Sequence, residues 1–167
     1  MRQKPIAEIV REFSKSLPHF PDGRIDYSTS SIAPILMIFV KVDQEFLLSR
    51  RSKEVFAYPG KWGVNAGFLD DEKPIPEKVM EELIDELGVA KDRLKELIKE
   101  IKIHKYFEFK DEKTGMTWIK TPVIVELTEK PEIHLDWEHD ECRWIRIEEL
   151  SRYDTVVDLE RTLKCAL

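Results

Sequence analysis

The chain has 167 residues, a net charge of −6, 42% hydrophobic residues and 36% charged ones. That length accommodates one domain with its own core rather than two, and the composition excludes a disordered chain. Acids and bases are mixed along the whole length, which argues against broad electrostatic docking to nucleic acid or anionic membrane; neither is an expected partner.

Residues 1–30 read as an N-terminal extension. Ile6, Ile9, Val10 and Phe13 fall at helical spacing, and "LPHFPDGRIDYSTSS" then supplies turn residues. Residues 31–167 read as the main domain. "IAPILMIFVKV" (Ile32–Val42) is an apolar, β-prone strand. Its uninterrupted stretch, Ile32–Val40, is far short of the roughly 20 residues that span a bilayer. With no apolar signal core at the N-terminus, and with Cys142 and Cys165 in no CxxC pair, a cytoplasmic protein with free thiols is expected. A turn at Asp43–Gln44 leads into "EFLLSRR" as a hairpin partner. "FAYPGKWGVNAGFLDD" predicts a loop with a short strand near Gly63–Leu69. A helix follows, entered through Pro74 and Pro76 and stopped at Gly88. "KDRLKELIKEI" predicts a short helical turn. Two long strands then flank a turn at Lys113–Gly115, a further strand covers Cys142–Ile147, and the chain finishes in helix. Interleaved strands and helices predict an α/β fold, a mixed sheet flanked by helices.

The helix "EKVMEELIDELGV" sets the functional question. At 3.6 residues per turn, Val79, Met80, Leu83, Ile84 and Leu87 spread over one side, while Glu77, Glu81, Glu82, Asp85 and Glu86 share the other. Like charges at this spacing cost about 0.2–0.5 kcal/mol per pair. A solvated acidic face explains most such helices; a hard cation would turn the repulsion into attraction.

The flanks favour the cation. Aligned from Gly67 to Val89, the chain resembles the Nudix hydrolase family, whose box runs G-x5-E-x7-R-E-U-x-E-E-x-G-U with U aliphatic. Gly67, Glu82, Leu83, Glu86, Gly88 and Val89 match, and Asp85 stands for a glutamate. "FAYPGKW" before the box and "WEHDECRWIRIEEL" after it are also similar to this family, so the resemblance covers about residues 32–167. Two departures invert charge: Lys73 where the family has its first Glu, and Glu81 where it has Arg. A Lys73–Glu81 pair would keep that attraction with its polarity reversed.

The resemblance implies a Nudix-type α/β/α sandwich around a mixed β-sheet, and hydrolysis of a diphosphate linkage in a nucleoside diphosphate derivative. It implies Mg²⁺, with Mn²⁺ as a substitute, held by Glu82, Glu86, Asp85 and the Ala66 carbonyl. Gly67 is expected where the backbone passes close to substrate and metal. Glu138 is the expected general base, six residues before Trp144. Arg50 and Arg51 are candidates for holding phosphate; strand alternation allows only one of them into the site. Trp62 and Tyr58 are candidates for stacking a base. His134, His139 and Cys142 lie too close together in one loop to make a persuasive zinc site; His139 is a loop residue or a proton shuttle, and His104 strand packing. The expected partner is a small nucleotide, and a homodimer is implied without an identifiable interface. Lys73 and Glu81 keep open the alternative of a catalytically impaired Nudix-fold nucleotide-binding or regulatory module. A relative of isopentenyl diphosphate isomerase is disfavoured, because "KWGVNAGFL" lacks the cysteine those enzymes require.

Overall fold

In the computed structural model, which describes residues 2–167, the strands are β1 (Ile32–Val42), β2 (Glu45–Arg51), β3 (Trp62–Gly63), β4 (Asn65–Phe68), β5 (Ile98–Ile103), β6 (Phe107–Lys110), β7 (Thr117–Leu127) and β8 (His139–Arg146). The helices are α1 (Ile6–Ser16), α2 (Ile75–Leu87), α3 (Lys91–Leu97) and α4 (Leu159–Cys165), with a 3₁₀ turn at Ile147–Arg152.

β1 is central, and its side chains alternate between two cores rather than between core and water. Leu36, Ile38 and Val40 join one cluster, Met37 and Phe39 the other. A strand covered on both faces must be apolar throughout, which is why this segment reads as an unbroken run. β7 lies parallel along β1, from Ile32 opposite Thr117 to Lys41 opposite Glu126. β4 lies antiparallel along its first half, from Ile35 opposite Phe68 to Ile38 opposite Asn65. β2 returns from β1 through a tight turn in which Asp43 takes φ 52°, a left-handed conformation that Asp tolerates better than most residues. β3 and β8 pair with β2, while β5 and β6 pair with β7.

One face of this mixed sheet is covered by α1, α2 and α3 through Val10, Val79, Leu83, Leu87, Leu94 and Leu97. The other is covered by Leu150 of the 3₁₀ turn and by Leu159 and Leu163 of α4. The result is the α/β/α sandwich that the sequence predicts. Each fully buried Leu or Val contributes about 1.5–3 kcal/mol, so the apolar half of α2 anchors it firmly enough to tolerate its crowded acids. Among the described residues no helix is long and apolar enough to cross a membrane.

The structure departs from the predicted elements in three places. The first of the two long strands before β7 is broken into β5 and β6. Opposite the break lies Pro122, which has no N–H for the ladder, while its carbonyl takes the His104 N–H at 2.9 Å. Helix α3 stops at Leu97, because Ile98 is already paired with Leu127. β8 begins at His139, earlier than predicted, opposite Arg51.

α2 is bounded as expected. Pro74 caps its start, and Gly88 closes it at φ 64°, where a Cβ would lie 2.6 Å from the His134 carbonyl oxygen.

Candidate active site

α2 places its acids at very different depths. Asp85 is exposed, whereas Glu86, beside the fully buried Leu87, is 4% exposed. A glutamate at that depth needs a partner, and Asn65 Nδ2 donates to its Oε2 at 2.7 Å. Asn65, at the start of β4, is itself buried. Burial holds the Glu86 carboxyl well above the ordinary range; Asn65 opposes this, and the charges of Glu82 and Glu138 reinforce it.

One turn earlier, burial pushes Glu82 up to about 7, with Lys78 opposing and Asp70, Asp85 and Glu138 adding to the rise. Gly67 of β4 lies against this carboxylate: a Cβ there would overlap the Glu82 carboxyl group and lie 2.9 Å from its Cγ. Glycine leaves room for the carboxylate to rest against the backbone here; its backbone angles do not call for glycine. Ala66, between Asn65 and Gly67, pairs with Met37 across the β1–β4 ladder.

A second element converges from the far side. Glu86, Glu138 and His139 offer ligand atoms that all lie within 4.8 Å of one another. His139 is 5% exposed, its Nδ1 3.3 Å from Asp136 Oδ1. The Ser52 N–H donates to the Glu138 carbonyl at 2.8 Å, joining the loop after β2 to the start of β8.

The two arginines separate as alternation requires. Arg51 is half-buried near Glu138 and Glu86, and its Nε donates to the Ala57 carbonyl at 2.7 Å. Burial pulls its guanidinium below the usual value despite those two acids. Arg50 instead pairs with Asp140 at 2.7 Å and Glu141 at 3.2 Å.

The aromatic candidates are not brought to the acids. Trp62 is buried in the core beneath α4, edge-to-face with Tyr153 at 5.1 Å. Its indole is flanked by Arg50 and Arg143. Tyr58 Oη donates to Asp111 Oδ2 at 2.6 Å. His134 is exposed, His104 leaves its Nε2 buried without a hydrogen-bond partner, and Cys142 lies opposite Ser49 in the β2–β8 ladder.

Charge inversion in the loop before α2 is matched by pairing. Lys73 Nζ lies 2.5 Å from Glu81 Oε1, both half-exposed. Deeper down, Lys78 is 3% exposed, and its ammonium reaches Asp70 at 2.7 Å, Asp71 at 3.0 Å and Glu81 at 3.8 Å. Burial alone would lower its pKa; hydrogen bonds to Asp70 and Asp71 outweigh that and raise it.

Sequence reasoning missed Asn65, Lys78 and the convergence of His139 with the acids. Asn65 carried a signal: it is the single asparagine of the chain and directly precedes Ala66–Gly67.

The donor set fits a hard divalent cation. Buried Glu86 and half-buried Glu82 have raised carboxyl pKa values, a third acid and an imidazole converge on Glu86, and the backbone beside Glu82 has no Cβ.

Comparison with known proteins gives a consistent picture. A NUDIX domain model matches residues 32–164. Among solved structures, a MutT protein from Methanosarcina mazei Go1 is similar with a TM-score of 0.63 at 20% identity, covering 80% of this chain and 91% of that one. A MutT NUDIX hydrolase from Burkholderia pseudomallei gives 0.64 at 18% identity, with 81% and 98% covered. A C. elegans Ap4A hydrolase in a binary complex gives 0.59 at 16% identity, with 80% and 94% covered. These likenesses establish the fold. No curated protein matches the chain.

Proposed function

The chain belongs to the NUDIX domain family, and from that premise we propose that it is a divalent-metal-dependent hydrolase cleaving a diphosphate linkage in a nucleoside diphosphate derivative. The domain runs over residues 31–167, behind the extension of residues 1–30. The observation that carries this reading is the convergence of buried Glu86 with Glu138 and His139, beside Glu82 and the Cβ-free backbone of Gly67.

Glu82 and Glu86 would hold Mg²⁺ or Mn²⁺, with Asp85 and the Ala66 carbonyl completing the set. When bound, such an ion supplies positive charge against the diphosphate and acidifies water. Asn65 fixes the Glu86 carboxylate by holding Oε2, leaving Oε1 free to ligate. Glu138 stands within reach of the same point and, as the general base, takes a proton from the attacking water onto a carboxylate oxygen. Arg51, rigid and half-buried beside both acids, is the residue to hold a diphosphate oxygen. Arg50, already paired with Asp140 and Glu141, and Trp62, packed in the core, are withdrawn from that role.

The test is a panel of dinucleotides, nucleoside triphosphates, ADP-ribose and nucleotide sugars with Mg²⁺ and Mn²⁺. Turnover that needs the metal and falls at least about a hundredfold in Glu86→Gln supports the hydrolase. Nucleotide binding with neither metal uptake nor turnover supports the second reading, a binding or regulatory module; the reversed Lys73–Glu81 pair in the box is the feature that favours it.

A further inference from the structure

The family match begins at residue 32, yet the segment before it is bonded directly to the box. Residues 18–27 form a small closed unit: His19 bridges Ile25, the Phe20 N–H donates to the Arg24 carbonyl at 2.8 Å, and the Asp26 N–H donates to the Pro18 carbonyl at 2.8 Å. Its inner edge is fixed in the main core, with Ile25 2% and Tyr27 7% exposed among Val79, Leu83 and their neighbours.

From there the unit holds the last residue of β4 and the first two of the loop that leads to α2. The Tyr27 ring stacks on Phe68, with centroids 5.6 Å apart and planes at 21°. Tyr27 Oη donates to the Leu69 carbonyl at 2.6 Å. The Ile25 N–H donates to the Asp70 carbonyl at 2.6 Å, and Arg24 Nη1 lies 3.6 Å from the Asp70 carboxylate, which also takes Lys78 at 2.7 Å.

Phe68 directly follows Gly67, and Gly67 is packed so tightly on Glu82 that a single added carbon would overlap the carboxylate. A displacement of Phe68–Asp70 passes along the chain to the Gly67 backbone that lies against Glu82. The main domain also holds this segment, with Phe68 opposite Ile35 in the β1–β4 ladder, Lys78 on Asp70 and the Leu69 N–H on the Pro34 carbonyl at 2.9 Å, but the Leu69 carbonyl is served by the Tyr27 hydroxyl of the extension. A buried carbonyl left without a donor pulls the backbone toward water.

We propose that residues 18–27 are a built-in brace of the metal-binding loop and that Tyr27 is its positioning residue, acting through Leu69 on the spacing between Gly67 and Glu82. This rests on the hydrolase reading above and extends it to a segment outside the family match.

The experiment compares full-length wild type with Tyr27→Phe, which keeps the ring stack and deletes only the hydroxyl. Mn²⁺ affinity is read by electron paramagnetic resonance, alongside the thermal midpoint and turnover across a Mn²⁺ series. Tyr106→Phe is the control: it deletes another phenolic hydrogen bond to the extension, Tyr106 Oη to the Lys4 carbonyl at 2.6 Å, away from the box. Tyr27→Phe is expected to bind Mn²⁺ about fivefold more weakly and to regain turnover when Mn²⁺ is raised. Tyr106→Phe should match wild type. Arg24→Gln, at an exposed position, provides a second variant certain to leave the core intact and should weaken Mn²⁺ binding about twofold. Unchanged Mn²⁺ affinity in both Tyr27→Phe and Arg24→Gln overturns the brace while leaving the hydrolase standing; so does an equal loss in Tyr106→Phe. Wild type that takes up no Mn²⁺ overturns both.

Discussion

At the scale of single residues, the site depends on side chains that no acidic motif contains. Asn65 contributes one amide hydrogen bond, but it goes to a carboxylate that is almost wholly buried and must present its other oxygen outward. Outer partners of this kind are worth about 10–100-fold in metal affinity or activity. Asn65→Leu should therefore weaken Mn²⁺ binding by that factor, read by titration of the pure protein, without unfolding it. Loss of fold with unchanged affinity in the surviving fraction would contradict this role. Arg51 and Arg50 make the complementary point. Adjacent in sequence, they are sent to opposite sides by strand alternation, one beside Glu86 and Glu138, the other out to Asp140 and Glu141. The sequence predicts that only one can enter the site; which one is decided by the pairing of Arg51 with His139 across β2 and β8.

At the scale of elements, α2 and the loop before it form a unit joined by two lysines of unequal weight. Lys73 pairs with Glu81 near the surface, where such a pair is worth about 0–1 kcal/mol. Lys78 is buried against Asp70 and Asp71, so its removal strands carboxylates away from water and costs about 3–5 kcal/mol. Urea unfolding of Lys73→Ala and Lys78→Met should separate them by that margin. Combining Lys73→Glu with Glu81→Arg should be milder than either change alone, since the attraction is restored; additive losses in a double-mutant cycle would refute it. The helix was legible in advance because its apolar period, its entry prolines and its terminal glycine are local signals. Lys78 was not. Within a helix it looks like any solvated base, and only the fold-back of Asp70 and Asp71 buries it. For the same reason the break between β5 and β6 was hidden: it is imposed by Pro122 on another strand.

At the scale of the whole molecule, half-buried Glu82 and buried Glu86 tie stability to pH. Glu82 titrates at about 7 in the folded chain against an ordinary value of 4.5. Between those values the folded state holds a proton that the unfolded state has lost, so its contribution to stability is greatest below about pH 4.5 and declines as pH rises toward 7. Glu86 is shifted in the same direction. Divalent ions need both groups ionised and reverse the trend by binding the folded state. The metal-free protein should thus melt at a lower temperature near pH 8 than near pH 6, and Mn²⁺ should raise the midpoint more near pH 8. Scanning calorimetry at the two values, with and without Mn²⁺, checks both signs. The architecture itself was readable because β1 and the box are strong local patterns; the depth of each acid was not, since it depends on which distant loop closes over it. The long parallel pairing of β1 with β7 has one more consequence, for the nascent chain. On the ribosome the most water-averse segment is synthesised before its longest partner, which emerges only after the box has been translated. Until then one whole edge of that strand lacks hydrogen-bond partners, so newly made chains are most prone to aggregate, and most dependent on chaperones, in that interval.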